Sequence, residues 1–188
     1  MLVFLSSGET QADVDKIFLG RGDSPLTQET KEQLRDASIT LAPYQFDHIF
    51  VSDLYRAQET AERVLYHNRH ETTWETVEEL RERSAGEYEG RKYTDIRVGM
   101  SPKQYKAWER DPFEAPLHGE SFADIEERLS DWFETIRPML DENKNIMIIS
   151  HPDVLRVLFA MVRGEELDRA IKTNVEYGMP YFYYGKPL

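Results

Sequence analysis

Three polar pairs follow apolar runs in this chain: Ser6-Ser7 after Leu2–Leu5, Ser52-Asp53 closing the run from His48, and Ser150-His151 after Ile146–Ile149. A serine hydroxyl is a weak nucleophile unless a nearby base takes its proton. Arg56 stands near the start of the segment after the second run. A cation there opposes the helix macrodipole, which favours a binding role. The plainer reading is a surface arginine paired with Glu59 or Asp53. His151 suits a pocket or a satisfied core histidine. Glu82 lies in Glu78-Glu79-Leu80-Arg81-Glu82-Arg83, an alternation that a solvated face also explains. His48, His67, His70 and His118 form no ligand-like grouping, so neither a metal site nor a cofactor is assigned.

The elements that must position these groups are legible as patterns. Leu2–Leu5, His48–Ser52 and Ile146–Ile149 are short apolar runs between polar segments, which predicts buried strands. Thr27 is an expected N-cap for a helix that ends near Pro43. A second helix is expected from Leu54 to about Tyr66. The longest spans about Phe122 to Leu140, where Phe122, Ile125, Leu129, Trp132, Phe133, Ile136 and Leu140 form one stripe. A last helix is expected over about Val154–Val162. Strands alternating with helices predict an α/β fold, a three-layer α/β/α sandwich with a mostly parallel sheet. Ligands of such sheets bind beyond the carboxyl ends of the strands, where all three polar pairs converge. The chain reads as a single domain, 1–188, with a cap of short helices and loops over about 80–121. The aromatic tail Tyr177–Tyr184 reads as an edge strand broken by Pro180.

Composition narrows the function classes. Hydrophobic residues make up 40% and charged residues 31% of the 188, an ordinary globular balance. The net charge of −12 argues against nonspecific binding to nucleic acid or an anionic membrane. It leaves room for a small phosphorylated ligand or anion, which needs only a local basic pocket. The absence of cysteine removes thiol nucleophiles and disulfides. The first apolar run is too short for a signal peptide, and none approaches a membrane span. A cytoplasmic protein is expected.

Taken together, Ser6-Ser7-Gly8-Glu9-Thr10, Gly20-Arg21-Gly22-Asp23-Ser24-Pro25-Leu26-Thr27, Asp53-Leu54-Tyr55-Arg56-Ala57-Gln58-Glu59-Thr60-Ala61, Gly86-Glu87-Tyr88-Glu89-Gly90, Gly119-Glu120-Ser121 and Ser150-His151 resemble the histidine phosphatase (phosphoglycerate mutase-like) superfamily. The resemblance covers Leu2 to about Leu158 and is closer in size to the phosphatase branch. It implies a phosphate pocket in which Arg56 and His151 match the second Arg and second His. It also implies that Glu82 matches the proton donor to the leaving oxygen. The family begins with Arg-His-Gly-Glu, whose His takes the phosphoryl group; here Ser6 and Ser7 stand in those places, ahead of Gly8 and Glu9. Asp13 occupies a position where the family often has a neutral Asn, which adds negative charge near the mouth. Pro152-Asp153 replaces the usual Gly-Gly at the start of the last helix, removing one N–H and adding a carboxylate that competes with an anion.

These departures imply a catalytically impaired pseudophosphatase with a weakened phosphate pocket, or a protein that acts on a protein partner through its surface. Two alternatives stay open. One is a residual or repurposed phosphomonoester hydrolase, in which Ser7, His151 and a carboxylate such as Glu82 or Glu9 form a serine–histidine–carboxylate arrangement. The other is an engineered Ser-Ser variant of an active phosphatase.

Overall fold

The protein is described here by a computed structural model covering residues 1–68, 70, 73–142 and 144–185. In chain order its elements are β1 (Leu2–Ser6), α1 (Gln11–Val14), β2 (Ile17–Phe18), α2 (Gln28–Leu41), β3 (His48–Ser52), α3 (Tyr55–Val64) and β4 (Glu75–Val77). There follow β5 (Arg91–Lys92), α4 (Tyr93–Gly99), α5 (Pro102–Arg110), α6 (Phe122–Asp141), β6 (Ile146–Ser150), α7 (Pro152–Arg163), α8 (Leu167–Ala170) and β7 (Pro180–Tyr183).

The three apolar runs form the middle of a five-stranded sheet ordered β4-β3-β6-β1-β7. All its pairings are parallel except β7 on β1. The alternation of side chains along each strand splits the core into two apolar clusters, one on each face. Val3, Leu5, Ile49, Val51, Met147 and Ile149 pack with Leu34 and Leu41 of α2 and Ala57, Ala61 and Val64 of α3. Leu2, Phe4, Phe50, Ile146 and Ile148 face the opposite way, against the stripes of α6 and α7. The expected α/β architecture with a mostly parallel sheet is therefore present.

Local signals explain the helix boundaries. Thr27 caps α2 by accepting from the Thr30 N–H at 3.1 Å. Ser121 and Asp124 form a reciprocal capping box at α6. Gly164, with φ of +61°, ends α7 in the left-handed conformation. Two details differ from expectation. A short helix, α8, follows α7, so α7 is not the last. Pro180 begins the tail strand rather than breaking it, because its missing N–H is harmless at the first residue of an edge strand.

Between Leu80 and Ser121 the chain forms a 3₁₀ turn at Gly86–Tyr88, the strand β5, and the helices α4 and α5. β5 pairs with β2 as a two-stranded ribbon. Gly86 closes this stretch on itself. Its φ is +52°, and a Cβ there would stand 2.1 Å from the Leu117 carbonyl oxygen. The next N–H, of Glu87, donates to that same oxygen at 3.1 Å.

Candidate active site

Register brings the polar pairs together. Ser6 of β1 lies level with Ser150 of β6, and the Ser7 N–H donates to the Ser150 carbonyl at 2.7 Å. Val51 of β3 lies level with Ile149, so Ser52 ends its strand beside Ser150. Since β6 runs between β1 and β3, the residue after it is flanked by the ends of both neighbours. That residue is His151, fully buried, with Nδ1 3.2 Å from Ser7 Oγ and Nε2 2.9 Å from Ser52 Oγ. The imidazole is both a satisfied buried side chain and a wall of the pocket.

His151 is held neutral. Burial lowers its proton affinity well below the ordinary histidine range, and the charges of Arg56 and Arg128 lower it further. A neutral imidazole has one donor and one acceptor nitrogen. If Nδ1 accepts from Ser7, Nε2–H must donate to Ser52 Oγ. Ser52 also accepts from the Leu54 N–H at 3.3 Å. The group behind the imidazole is thus a neutral hydroxyl, with no carboxylate to stabilise an imidazolium.

Arg56 is 5% exposed, so it is not a surface arginine. It pairs with neither Glu59 nor Asp53: Asp53 is taken by Arg81, and Glu59 by Arg63 and Lys31. Its guanidinium donates to the carbonyls of Gly20 (2.8 Å) and Gly22, and it meets Asp23 Oδ1 at 3.4 Å. Asp23 in turn accepts from the N–H groups of Tyr55 and Arg56, which begin α3. The arginine's fork is therefore largely committed to the Gly20–Asp23 loop.

Glu82 lies in the pocket wall rather than on a solvated face. It is half-buried, and it accepts from the Arg83 N–H at 2.8 Å and the Asp153 N–H at 3.4 Å. Desolvation first, and the neighbouring charge of Asp153 second, push its carboxyl up to about 7. The Arg83 N–H and the charges of Arg56 and Arg83 oppose that rise. Asp13 serves two partners: Oδ2 completes the α1 capping box with Thr10, and Oδ1 accepts from the Tyr177 hydroxyl at 3.0 Å. Desolvation and carboxylates nearby raise the Tyr93 and Tyr177 phenols, which stay protonated as donors.

Ser7, Arg56, Glu82, His151 and Asp13 all line one cavity of about 230 Å³. Ser6 and Glu9 do not. Ser6 is fully buried and donates to the Ser7 carbonyl at 3.2 Å. Glu9 engages through its backbone, its N–H donating to Thr30 Oγ1 and its carbonyl accepting from Thr27. Sequence reasoning placed Ser52 at a strand end on the ligand edge but gave it no role, and it did not assign Tyr93, Arg156 or Tyr177 to the site.

The start of α7 is taken up by the protein's own carboxylates. Pro152 has no N–H, the Asp153 N–H points to Glu82, and the Asp153 carboxylate pairs with Arg83 (2.8 Å) and Arg156. Around the cavity Arg56 and Arg156 stand against Asp13, Glu82 and Asp153. That balance is an unfavourable field for a phosphate dianion. Among the described residues, no cluster of three or more His, Asp or Glu could hold a metal ion. No described helix is long and apolar enough to cross a membrane.

A profile of the histidine phosphatase superfamily (branch 1) matches residues 2–179. The chain belongs to that superfamily. A phosphoglycerate mutase of Schizosaccharomyces pombe is 30% identical over 189 residues, which cover 98% of this chain and 89% of that protein. An adenosylcobalamin/α-ribazole phosphatase of Escherichia coli is 30% identical over 178 residues, covering 94% of this chain and 86% of the other. The histidine phosphatase fold recurs in the mycobacterial glucosyl-3-phosphoglycerate phosphatase solved with VO3. Its TM-score is 0.85 at 22% identity, with coverage of 95% of this chain and 88% of that one.

Proposed function

We propose that this superfamily member is a catalytically impaired pseudophosphatase, with Ser7 standing in the nucleophile's position and Ser6 in that of the first arginine. The whole chain is one domain in this reading, and 80–121 is its cap. The observation that carries it is the state of the Ser7–His151 pair. The hydroxyl has a base within reach, but that base is kept neutral and is backed by Ser52 instead of a carboxylate. The commitment of Arg56 to loop carbonyls and the three carboxylates of the cavity support a weakened seat for a phosphorylated ligand.

The test compares the native chain with a Ser6→Arg, Ser7→His double variant on an aryl phosphate and a panel of phosphate esters. Loss of a covalent nucleophile removes several orders of magnitude in rate. The native chain is expected to be silent and the variant to turn over at least about a thousandfold faster. Silence in both would move the function to protein partners or to ligand binding without turnover. The 3.2 Å approach of Ser7 Oγ to Nδ1 favours one other reading, a serine-based phosphomonoester hydrolase. Native turnover abolished by Ser7→Ala would establish it.

A further inference from the structure

Beside the inner cavity lies a larger one of about 590 Å³, a size within the range of small-molecule sites. The two share Phe18, Tyr93, Asp153 and Arg156, so each opens onto the same stretch of wall. The larger cavity has the opposite charge balance. Arg83, Arg156 and Lys172 stand against Glu109 and Asp153, one positive charge in excess. Lys172, exposed after α8, makes no ion pair among the described residues.

Its wall also carries two unmet donors. Arg83 is 6% exposed and Trp108 5%, yet Arg83 Nη1 and Trp108 Nε1 have no hydrogen-bond partner among the described residues. Buried donors are nearly always paired, because leaving one unmade sacrifices its hydration for nothing. Both sit among rings. The Arg83 guanidinium carbon lies 4.4 Å from the Phe122 ring centre and 5.7 Å from that of Trp108. Trp108 in turn packs on Phe18 at 5.1 Å.

The geometry points to this outer cavity as a binding site for a small aromatic anion, its ring against Trp108 and Tyr93 and its phosphonate, phosphate or carboxylate on Lys172 and Arg156. Aromatic walls with a few convergent donors are what such a ligand needs. The unpaired Lys172 ammonium, with the Arg156 guanidinium on the same wall but partly engaged by Asp153 and the Thr173 carbonyl, supplies the charge-assisted contacts. The assignment holds whether or not Ser7 can turn over an ester, because it uses neither Ser7 nor His151.

Phenylphosphonate is the probe, since its C–P bond leaves no ester to cleave. In the ¹⁵N-labelled full chain the indole N–H signals of the three tryptophans are separable, and Trp108→Phe identifies one of them. Titration is expected to move the Trp108 signal saturably, with smaller changes at the His151 ring. Lys172→Met, a change on the surface, is expected to weaken the apparent affinity about tenfold, the weight of one charge-assisted contact. Inorganic phosphate, lacking the ring, is expected to bind at least about tenfold more weakly. No saturable Trp108 shift, an unchanged affinity in Lys172→Met, or larger shifts at His151 than at Trp108 would each overturn the assignment. The phosphatase assay of the native chain answers a separate question, so either reading can fail alone.

Discussion

Glu82 and His151 are neighbours in one cavity whose environments shift their titrations in opposite directions. Burial holds the imidazole neutral, and burial with Asp153 nearby lifts the carboxyl to about 7. For Glu82 the folded state keeps its proton better than the unfolded chain, whose ordinary value is 4.5. Its contribution to stability is therefore full below about pH 4.5 and is lost as pH rises toward 7. The gap corresponds to a loss of about 3 kcal/mol at most, from 1.36 kcal/mol per pH unit. Glu82→Gln keeps an acceptor for the Arg83 N–H and cannot ionise. Urea unfolding should find this variant more stable than the native chain at pH 8, by about 1–3 kcal/mol, and nearly equal to it at pH 4. Equal stability at pH 8 would mean that the carboxylate is solvated where it stands. His151 has the reverse sign: its neutral folded form adds stability that is lost as pH falls below about 6.5.

At the scale of elements, short pieces hold the 80–121 stretch over rigid strand ends. Its closure depends on Gly86, where a side chain would meet backbone at 2.1 Å. Gly86→Ala is expected to lose at least about 2 kcal/mol through the left-handed φ and the clash, with proteolysis appearing first between 80 and 121. An unaltered melting curve would show that the turn can open without cost. The same elements show what a sequence can and cannot disclose. β1, β3 and β6 were legible because three or four consecutive apolar residues between polar segments favour a buried strand. α2 and α6 were legible from caps and stripes. β4 carries Glu75 and Thr76, both exposed, and the β2–β5 ribbon pairs only two residues on each side, so neither leaves a hydrophobic pattern. That Ser7, Glu82 and His151 line one cavity was legible because their motifs keep order and spacing. The partners of Arg56 were not, because backbone carbonyls have no signature in side-chain types. Arg83 and Trp108 were missed for a related reason: three distant segments build their aromatic surroundings.

Across the whole molecule, the polar strand ends and the apolar core are separate structures. Ser7, Ser52 and His151 belong to neither hydrophobic cluster, and β6, which delivers His151, is paired on both sides and covered on both faces. A chain built this way can change its strand-end residues and keep its fold, as the proposed pseudophosphatase reading requires. The distribution of stability should show it. Amides of β6 are bonded within the innermost strand, so they should exchange only through global unfolding. β4 lies at the sheet edge with three residues, two of them exposed, and α4 is largely exposed, with Ile96 its one buried residue. Native-state hydrogen exchange should therefore find β4 and α4 opening at free energies at least about 2 kcal/mol below that of β6. Ser7→Ala should lower the β6 value by no more than about 1–2 kcal/mol, the cost of leaving the buried His151 Nδ1 without its donor. Uniform exchange across β6, β4 and α4 would mean that the site and its cover unfold as one unit with the core. Each substitution at the site would then be a substitution in the fold, and the proposed loss of a nucleophile from an intact scaffold would no longer follow from the architecture.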